Sequence, residues 1–192
     1  NSEYLEFIDA GGYENPAFWL SDGWSNIEAN NITSPLYWSR QDNVWNEFTL
    51  NGNTKLVPEM PVCHVNFYEA DAYATWKGLR LPTEFELEIT AKKFQPKQKE
   101  VRMHPIGDGD KVFSNFFSNV WQWTNSAYLP FPGFKPANGA IGEYNGKFMS
   151  NQMVLKGSAC ITPKNHSRIS YRNFFYPHQR WPFTGIRLAC DD

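Results

Sequence analysis

Apolar residues recur at helical spacing in three segments of the chain, and a residue suited to helix capping precedes each of them. Asn66 and Thr83 each stand three residues before a glutamate, which is the spacing of a capping box. Glycines follow the first two segments and end them. The sequence therefore predicts three helices, over residues 2–8, over residues 66–78 and from residue 83 onward.

Alternating apolar and polar residues, which are typical of half-buried strands, occur in five places. The pair Asn51-Gly52 stands between two of them and predicts a hairpin turn. Trp121 and Trp123 share one face of another and predict a strand that buries tryptophan. The predicted strands are 44–50, 54–57, 119–124, 154–158 and 185–189, and the predicted loops are 13–38, 95–111 and 128–150.

The composition limits the class of protein. The chain has 192 residues, which suits one domain over residues 1–192. Aromatic residues make up 17% of it, so we expect a loop-rich α+β domain with a core of packed rings. A net charge of −2 without a block of like charge gives no sign of nucleic-acid or membrane binding.

The cysteines and the first residues suggest the cellular compartment. Cys63, Cys160 and Cys190 cannot all pair with one another, and no C-x-x-C motif occurs, so we expect free thiols in a reducing compartment. Cys160 and Cys190 are expected to be small buried residues of adjacent strands. With no secretory signal and no long apolar run, the prediction is a cytoplasmic protein. The first residue is Asn rather than Met, so we expect a piece of a longer chain.

The interval between the last two predicted strands is rich in arginine and aromatic residues, and three prolines interrupt it. Irregular segments held by strands are where scaffolds often present functional groups. Arg168, Arg172 and Arg180 stand in this interval, and the pattern assigns a carboxylate to none of them in preference to the others.

Three separated stretches resemble one known superfamily. In their order and spacing they are similar to the formylglycine-generating-enzyme-like (sulfatase-modifying-factor) superfamily, and the resemblance covers nearly the whole chain. It implies a modified C-type-lectin-like fold, which is α+β and loop-rich with a small mixed sheet. The stretches are Gly78-Leu79-Arg80-Leu81-Pro82-Thr83-Glu84, Asn119-Val120-Trp121-Gln122-Trp123-Thr124 and Thr184-Gly185-Ile186-Arg187-Leu188-Ala189.

Within that superfamily, further stretches resemble the C-terminal domain of the hercynine oxygenases, the sulfoxide synthases of ergothioneine biosynthesis. The resemblance implies iron(II), O2, hercynine and a small thiol, either cysteine or γ-glutamylcysteine, as cofactor and substrates. It also implies an N-terminal DinB-like domain that holds the iron and is absent from this chain. The stretches include Tyr4-Leu5-Glu6-Phe7-Ile8, Leu20-Ser21-Asp22-Gly23-Trp24, Tyr128-Leu129-Pro130-Phe131-Pro132-Gly133-Phe134 and Tyr171-Arg172-Asn173-Phe174-Phe175.

The last of these stretches predicts a substrate site at Asn173, Phe174 and Phe175. Hercynine carries a trimethylammonium group, and aromatic faces attract such cations. An asparagine amide can hydrogen-bond the charged end of the molecule. If the segment is extended, Phe174 and Phe175 point to opposite sides, so that one faces the core and the other the site.

The resemblance also implies a calcium site. Superfamily members often hold Ca²⁺ with backbone carbonyls and a carboxylate near the strand that here contains Trp121, and the matching residues are Asn115, Ser118, Val120 and Gln122. Gln122 stands where the family usually has glutamate, which removes a negative charge that would strengthen Ca²⁺ binding.

Other chemistry is less favoured by the sequence. The four histidines are at least 12 residues apart, and this spacing does not predict an iron centre within the chain. Thr162 and Ser167 occupy the positions at which formylglycine-generating enzymes have their two reactive cysteines. Two alternatives stay open, namely a non-catalytic ligand- or partner-binding module and a relative that acts on another thiol or on a selenium donor.

Overall fold

A computed structural model of the chain describes residues 1–107, 113, 115–144 and 146–191. Within these residues, helices and short strands alternate with long irregular segments. The helices are α1 (Ser2–Asp9), α2 (Ser21–Asn30), α3 (Phe67–Trp76) and α4 (Glu84–Phe94). The strands are β1 (Trp38–Gln41), β2 (Val44–Thr49), β3 (Gly52–Lys55), β4 (Trp121–Ala127), β5 (Met153–Gly157), β6 (Asn173–Phe175) and β7 (Thr184–Gly185).

The three predicted helices are confirmed, and two of them begin with the predicted capping boxes. The Asn66 side chain accepts a hydrogen bond from the Glu69 amide at 2.8 Å, and the Glu69 carboxylate accepts one from the Asn66 amide at 2.8 Å. Thr83 and Glu86 make the same reciprocal pair at the start of α4. These contacts satisfy amides that have no partner within the helix.

The prediction of a loop over residues 13–38 was wrong, because α2 lies within it and β1 begins at its end. Ser, Gly and Asn in α2 have weak helix propensity, so the pattern of these residues does not predict a helix. Tertiary packing compensates for this weak helix propensity. Ile27 is buried in the core, and the Gly23 backbone lies so close to the Tyr68 side chain that a Cβ atom at Gly23 would come within 2.8 Å of the Tyr68 Cβ atom.

Two small sheets form the β-structure of the described residues. One is antiparallel in the order β1-β2-β3, and its second half is the predicted hairpin. The other has the order β6-β5-β4-β7, with antiparallel pairs except for the parallel pair of β4 and β7. The predicted loop-rich α+β class with a small mixed sheet is confirmed.

The C-terminal part differs from prediction in two respects. The predicted strand 185–189 is reduced to β7 and one isolated bridge between Arg80 and Ala189. Cys190 was predicted to be buried, but it is exposed, while Cys160 is buried as expected. Among the described residues, regular pairing ends at Gly185 and the isolated bridge at Ala189 is the last one, so Cys190 lies beyond the paired backbone.

The core consists largely of aromatic rings, as the composition predicts. A first cluster gathers Tyr4, Phe7 and Trp38 between α1, α3 and the first sheet. A second cluster packs α3 against Trp121 and Trp123 of the mixed sheet. None of the helices in the described part of the chain is long and apolar enough to cross a membrane.

Two ion pairs attach α4 to the mixed-sheet region. Glu88 binds Lys156 of β5 at 2.7 Å, and the Lys156 side chain is fully buried. One turn earlier on α4, the buried Glu84 contacts Arg172, which immediately precedes β6. The helix therefore fixes the position of the edge strand that contains the predicted substrate residues.

Candidate substrate site

The predicted residues Asn173, Phe174 and Phe175 form β6, the strand at one edge of the mixed sheet. The strand pairs with β5 in antiparallel register, with Phe174 opposite Val154. All three residues are half-buried. β6 lies at the edge of its sheet, and the partial exposure of its side chains leaves them within reach of a ligand or another polypeptide.

The two phenylalanines take opposite faces of the strand, as expected for extended backbone. Phe175 packs against the second core cluster and meets the Trp181 ring edge-on, at 5.3 Å and 82°. Phe174 instead stacks on Tyr128, with ring centroids 4.2 Å apart and planes 10° apart. Phe175 therefore faces the second core cluster. Phe174 belongs to a separate group of rings, which we call the outer aromatic group and which comprises Tyr128, Phe131 and Phe174.

This outer aromatic group already holds a cation. The Arg172 guanidinium lies 4.7 Å from the centre of the Tyr128 ring and 4.3 Å from that of Phe131. Guanidinium groups pack on aromatic faces through the ring quadrupole and dispersion. The rings around Phe174 are thus arranged in the way that favours a positively charged group.

Asn173 precedes Phe174 on the strand and offers a hydrogen-bond donor. Its Oδ1 accepts a hydrogen bond from the Phe174 amide at 3.0 Å. Its Nδ2 makes no hydrogen bond within the described residues and is not among their buried unpaired atoms. That amide group can therefore donate to a carboxylate or another acceptor of a bound molecule.

The residues predicted to hold calcium lie in one neighbourhood. Asn115 and Ser118 both have positive φ, at 61° and 63°, which marks a tight turn before β4. Asn115, Val120 and Gln122 line a common cavity of about 600 Å³. The predicted residues thus lie close together, although residues 108–112 and 114 beside them lie outside the described part of the chain.

The oxygens of this turn accept hydrogen bonds from cationic side chains. A Ca²⁺ ion needs six to eight oxygen ligands and is repelled by positive charge close to them. As they stand, the described residues do not fit a Ca²⁺ ion, and the calcium site stays a prediction. The three contacts are Lys99 Nζ to Asn115 Oδ1 at 2.9 Å, Arg102 Nη2 to the Ser118 carbonyl at 2.8 Å and Arg187 Nε to Gln122 Oε1 at 2.6 Å.

The histidines do not gather into an iron centre within the described residues. His64 and His104 line one cavity of about 420 Å³, whereas His166 and His178 pack on separate tyrosines. No group of three or more histidine, cysteine or acidic side chains in the described part of the chain is placed to hold a metal ion. The residues that the structure describes therefore do not fit a resident iron.

The cysteine chemistry of a formylglycine-generating enzyme also finds no support here. Burial raises the pKa of the Cys160 thiol to about 11, so it is protonated at neutral pH and a poor nucleophile. Thr162 uses its hydroxyl to accept a hydrogen bond from the Ala159 amide, and Ser167 is buried. These side chains stabilise a loop and supply no second thiol.

Sequence reasoning missed three residues that complete the aromatic group. Tyr128 lies in a stretch that supported the family resemblance, but nothing in the pattern paired it with Phe174. Arg172 was one of three arginines without an assigned role. Glu84 follows the helix-capping Thr83, so it would be interpreted as an acid at a helix start, and the sequence carries no signal for its contact with Arg172.

The fold defines a class, the loop-rich α+β domains with a small mixed sheet. More specifically, the chain belongs to the sulfatase-modifying factor enzyme 1-like domain family, whose sequence model matches residues 1–112. The resemblance to this superfamily, and within it to hercynine oxygenases, is confirmed.

Three relatives show the range of the similarity. The hercynine oxygenase of Mycolicibacterium smegmatis is 32% identical over 221 residues, covering 100% of this chain and 51% of that protein. Ergothioneine biosynthesis protein 1 of Schizosaccharomyces pombe is 24% identical over 205 residues, covering 98% and 24%. The formylglycine-generating enzyme of Mus musculus is 37% identical over 168 residues, covering 68% and 44%. The chain spans about half the length of the curated hercynine oxygenases that it matches.

Proposed function

We propose that this chain forms the substrate-binding part of a sulfoxide synthase in ergothioneine biosynthesis. The enzyme would join hercynine to a small thiol, cysteine or γ-glutamylcysteine, with O2 and iron(II). The observation that supports this most is the half-buried edge strand, where Phe174 stands in an aromatic group that already accommodates a guanidinium. The names of the relatives that align with the whole chain agree with it.

In this proposal β6 orients hercynine. The trimethylammonium group packs against the Phe174 ring, because a fixed cation gains attraction from an aromatic face. The Nδ2 group of Asn173 donates to the carboxylate at the other end of the ligand. Two anchors at opposite ends of a small molecule fix its direction, so its imidazole ring is presented in one orientation.

Iron enters the proposal as a group held elsewhere in the protein. We propose that a DinB-like domain, in the part of the protein outside this chain, supplies its ligands. When bound, the iron would activate O2. The residues described here bind and orient the substrate and leave the metal chemistry to that domain.

The proposal is distinguished from formylglycine-generating chemistry by the absence of a thiol pair at residues 162 and 167, where the chain has threonine and serine. It is distinguished from a non-catalytic binding module by ligand preference, because such a module need not recognise hercynine over histidine.

The test compares hercynine and histidine binding to the protein by titration calorimetry without oxygen. Phe174→Ala should weaken hercynine more than histidine, since histidine lacks the fixed trimethylammonium cation. A loss of about 1–2 kcal/mol corresponds to roughly 5- to 30-fold in affinity. Asn173→Ala should weaken both ligands, because its hydrogen bond does not depend on methylation.

Phe48→Ala is the matched control. Phe48 is also a strand phenylalanine, but it is exposed, lies on β2 and lines the cavity of His64 rather than the β6 site. It should change neither affinity. If the Phe174 variant is folded and keeps the original preference for hercynine, the site lies elsewhere and the proposed function loses its support.

A further inference from the structure

The segment 129–134 covers the outer aromatic group with exposed side chains. Leu129 and Phe131 are 61% and 47% exposed, so this segment has little burial of its own to hold it in place. One backbone hydrogen bond, from the Tyr128 amide to the Gln152 carbonyl, lies just before the segment. Another, from the Phe134 amide to the Phe131 carbonyl, lies within it. A segment with few buried contacts is expected to open easily unless another group holds it.

Arg172 provides such a group through two kinds of contact. Its Nη1 donates a hydrogen bond to the Leu129 carbonyl at 3.0 Å. Its guanidinium plane packs on the rings of Tyr128 and Phe131. Tyr128, held in this way, stacks on Phe174. The Arg172 side chain therefore attaches the Leu129 carbonyl and the rings of Tyr128 and Phe131 to the start of the edge strand.

Glu84 fixes Arg172 from the opposite side. The Arg172 Nη2 donates a hydrogen bond to Glu84 Oε1 at 2.9 Å, and Nε lies 2.8 Å from Oε2 in an ionic contact that is too bent for a hydrogen bond. The Glu84 side chain is 3% exposed and that of Arg172 is 12% exposed. With its charge paired and its surface covered, Arg172 has little surface left with which to bind a substrate carboxylate.

We propose that Arg172, anchored by Glu84, is a positioning residue for the substrate site. It holds Tyr128 and segment 129–134 against Phe174 and so sets the shape of the surface that receives the ligand. This inference rests on the proposed function for the identity of the ligand, but not for the contacts themselves. Lysine cannot replace arginine here, because a single ammonium cannot pair with Glu84, bind Leu129 and cover two rings at once.

The test uses NMR of the protein with labelled tyrosine. Arg172→Lys should remove the ring-current shift that the stacked Phe174 imposes on the Tyr128 ring protons. It should also raise amide exchange at Phe134 by more than about tenfold, because the segment opens more often. The affinity for hercynine should fall by about fivefold or more as the surface loses its shape.

Arg180→Lys is the matched control, because Arg180 also pairs with a buried glutamate but makes no described contact with segment 129–134. It should leave the Tyr128 shifts and the Phe134 exchange unchanged. Glu84→Gln is the second variant. It keeps the shape of the anchor but removes its charge, and it should give the same changes as Arg172→Lys in weaker form, so that the test does not depend on one variant folding.

Unchanged Tyr128 shifts and Phe134 exchange in folded Arg172→Lys or Glu84→Gln protein would overturn the inference. The proposed function fails separately. If the shifts and exchange respond as expected while the wild-type protein does not bind hercynine, Arg172 is a positioning residue for a different ligand.

Discussion

Two buried arginine–glutamate pairs in this chain have the same chemistry and different surroundings. In the first, which we call the core pair, Glu69 contacts Arg180 at 3.3 Å. Glu69 also accepts a hydrogen bond from the Tyr13 hydroxyl at 2.6 Å inside the first core cluster. In the second, the site pair, Glu84 contacts Arg172 at 2.8 Å beside the buried Tyr128 ring and the exposed Phe131 ring.

The difference lies in what each arginine does with its remaining surface. Arg180 donates a hydrogen bond to the Ser34 carbonyl and so binds one more backbone group near the core. Arg172 spreads its guanidinium over Tyr128 and Phe131, whose segment is partly open to solvent. The core pair therefore stabilises the fold, whereas the site pair sets the geometry of a surface.

The largest expected effect separates the two pairs by stability. Glu69→Ala leaves Arg180 buried without a counter-charge and removes the partner of Tyr13, so the free energy of unfolding should fall by about 3–5 kcal/mol. Urea denaturation measures this loss. The Tyr128 ring shifts should be unaffected in the folded variant. A loss below about 1 kcal/mol would place the core pair among ordinary surface pairs and remove the contrast.

A smaller effect separates the two faces of β6. Phe175→Ala opens a gap against the second core cluster and should lower the free energy of unfolding by about 2 kcal/mol, less than for a fully buried phenylalanine. Phe174→Ala removes a ring outside the core and should cost about 1 kcal/mol or less. The same denaturation experiment decides the order. If Phe174→Ala is the more destabilising change, the assignment of core face and site face is reversed.

The smallest effect is the pH dependence of the core pair. Burial raises the pKa of the Glu69 carboxyl above its ordinary value of 4.5, although Arg180 opposes the shift. The folded state then binds a proton more tightly than the unfolded state. This contribution to stability is complete below pH 4.5 and is lost as the pH rises through the folded-state pKa.

Glu69→Gln should remove the loss of stability that Glu69 causes as the pH rises. The difference in unfolding free energy between wild type and variant should therefore change in favour of the variant as the pH is raised from about 4 to about 8. Curves that stay parallel over this range would show that Glu69 has no shifted pKa to contribute.

Much of the fold was predictable because the signals are local. Asn66 and Thr83 are each followed three residues later by a glutamate, and this spacing predicts the start of a helix. The pair Asn51-Gly52 predicts a hairpin turn. Helix α2 was missed because its residues have weak helix propensity and its position depends on a close contact between Gly23 and Tyr68, 45 positions further along. Contacts of that length leave no pattern in the sequence.

The site was predictable to a similar degree. The family resemblance predicts Asn173, Phe174 and Phe175 as substrate residues, and the structure shows that they form a strand. Glu84 and Arg172 are separated by 88 residues, and their pairing depends on how α4 packs against the sheet. Neither residue type nor spacing reveals such a pair, because an acid at a helix start and an arginine before a strand are both common.

The two anchors of α4 constrain how the site can move. Glu84 and Glu88 are one helical turn apart, and each is paired with a different part of the mixed-sheet region, near β6 and on β5. Rotation of α4 about its axis, or sliding along it, would separate both pairs at once. The helix, β5 and β6 should therefore move as one rigid body, and segment 129–134, held by Arg172, becomes the hinged part. Ligand entry would then be gated by a loop of six residues and not by a rearrangement of the sheet.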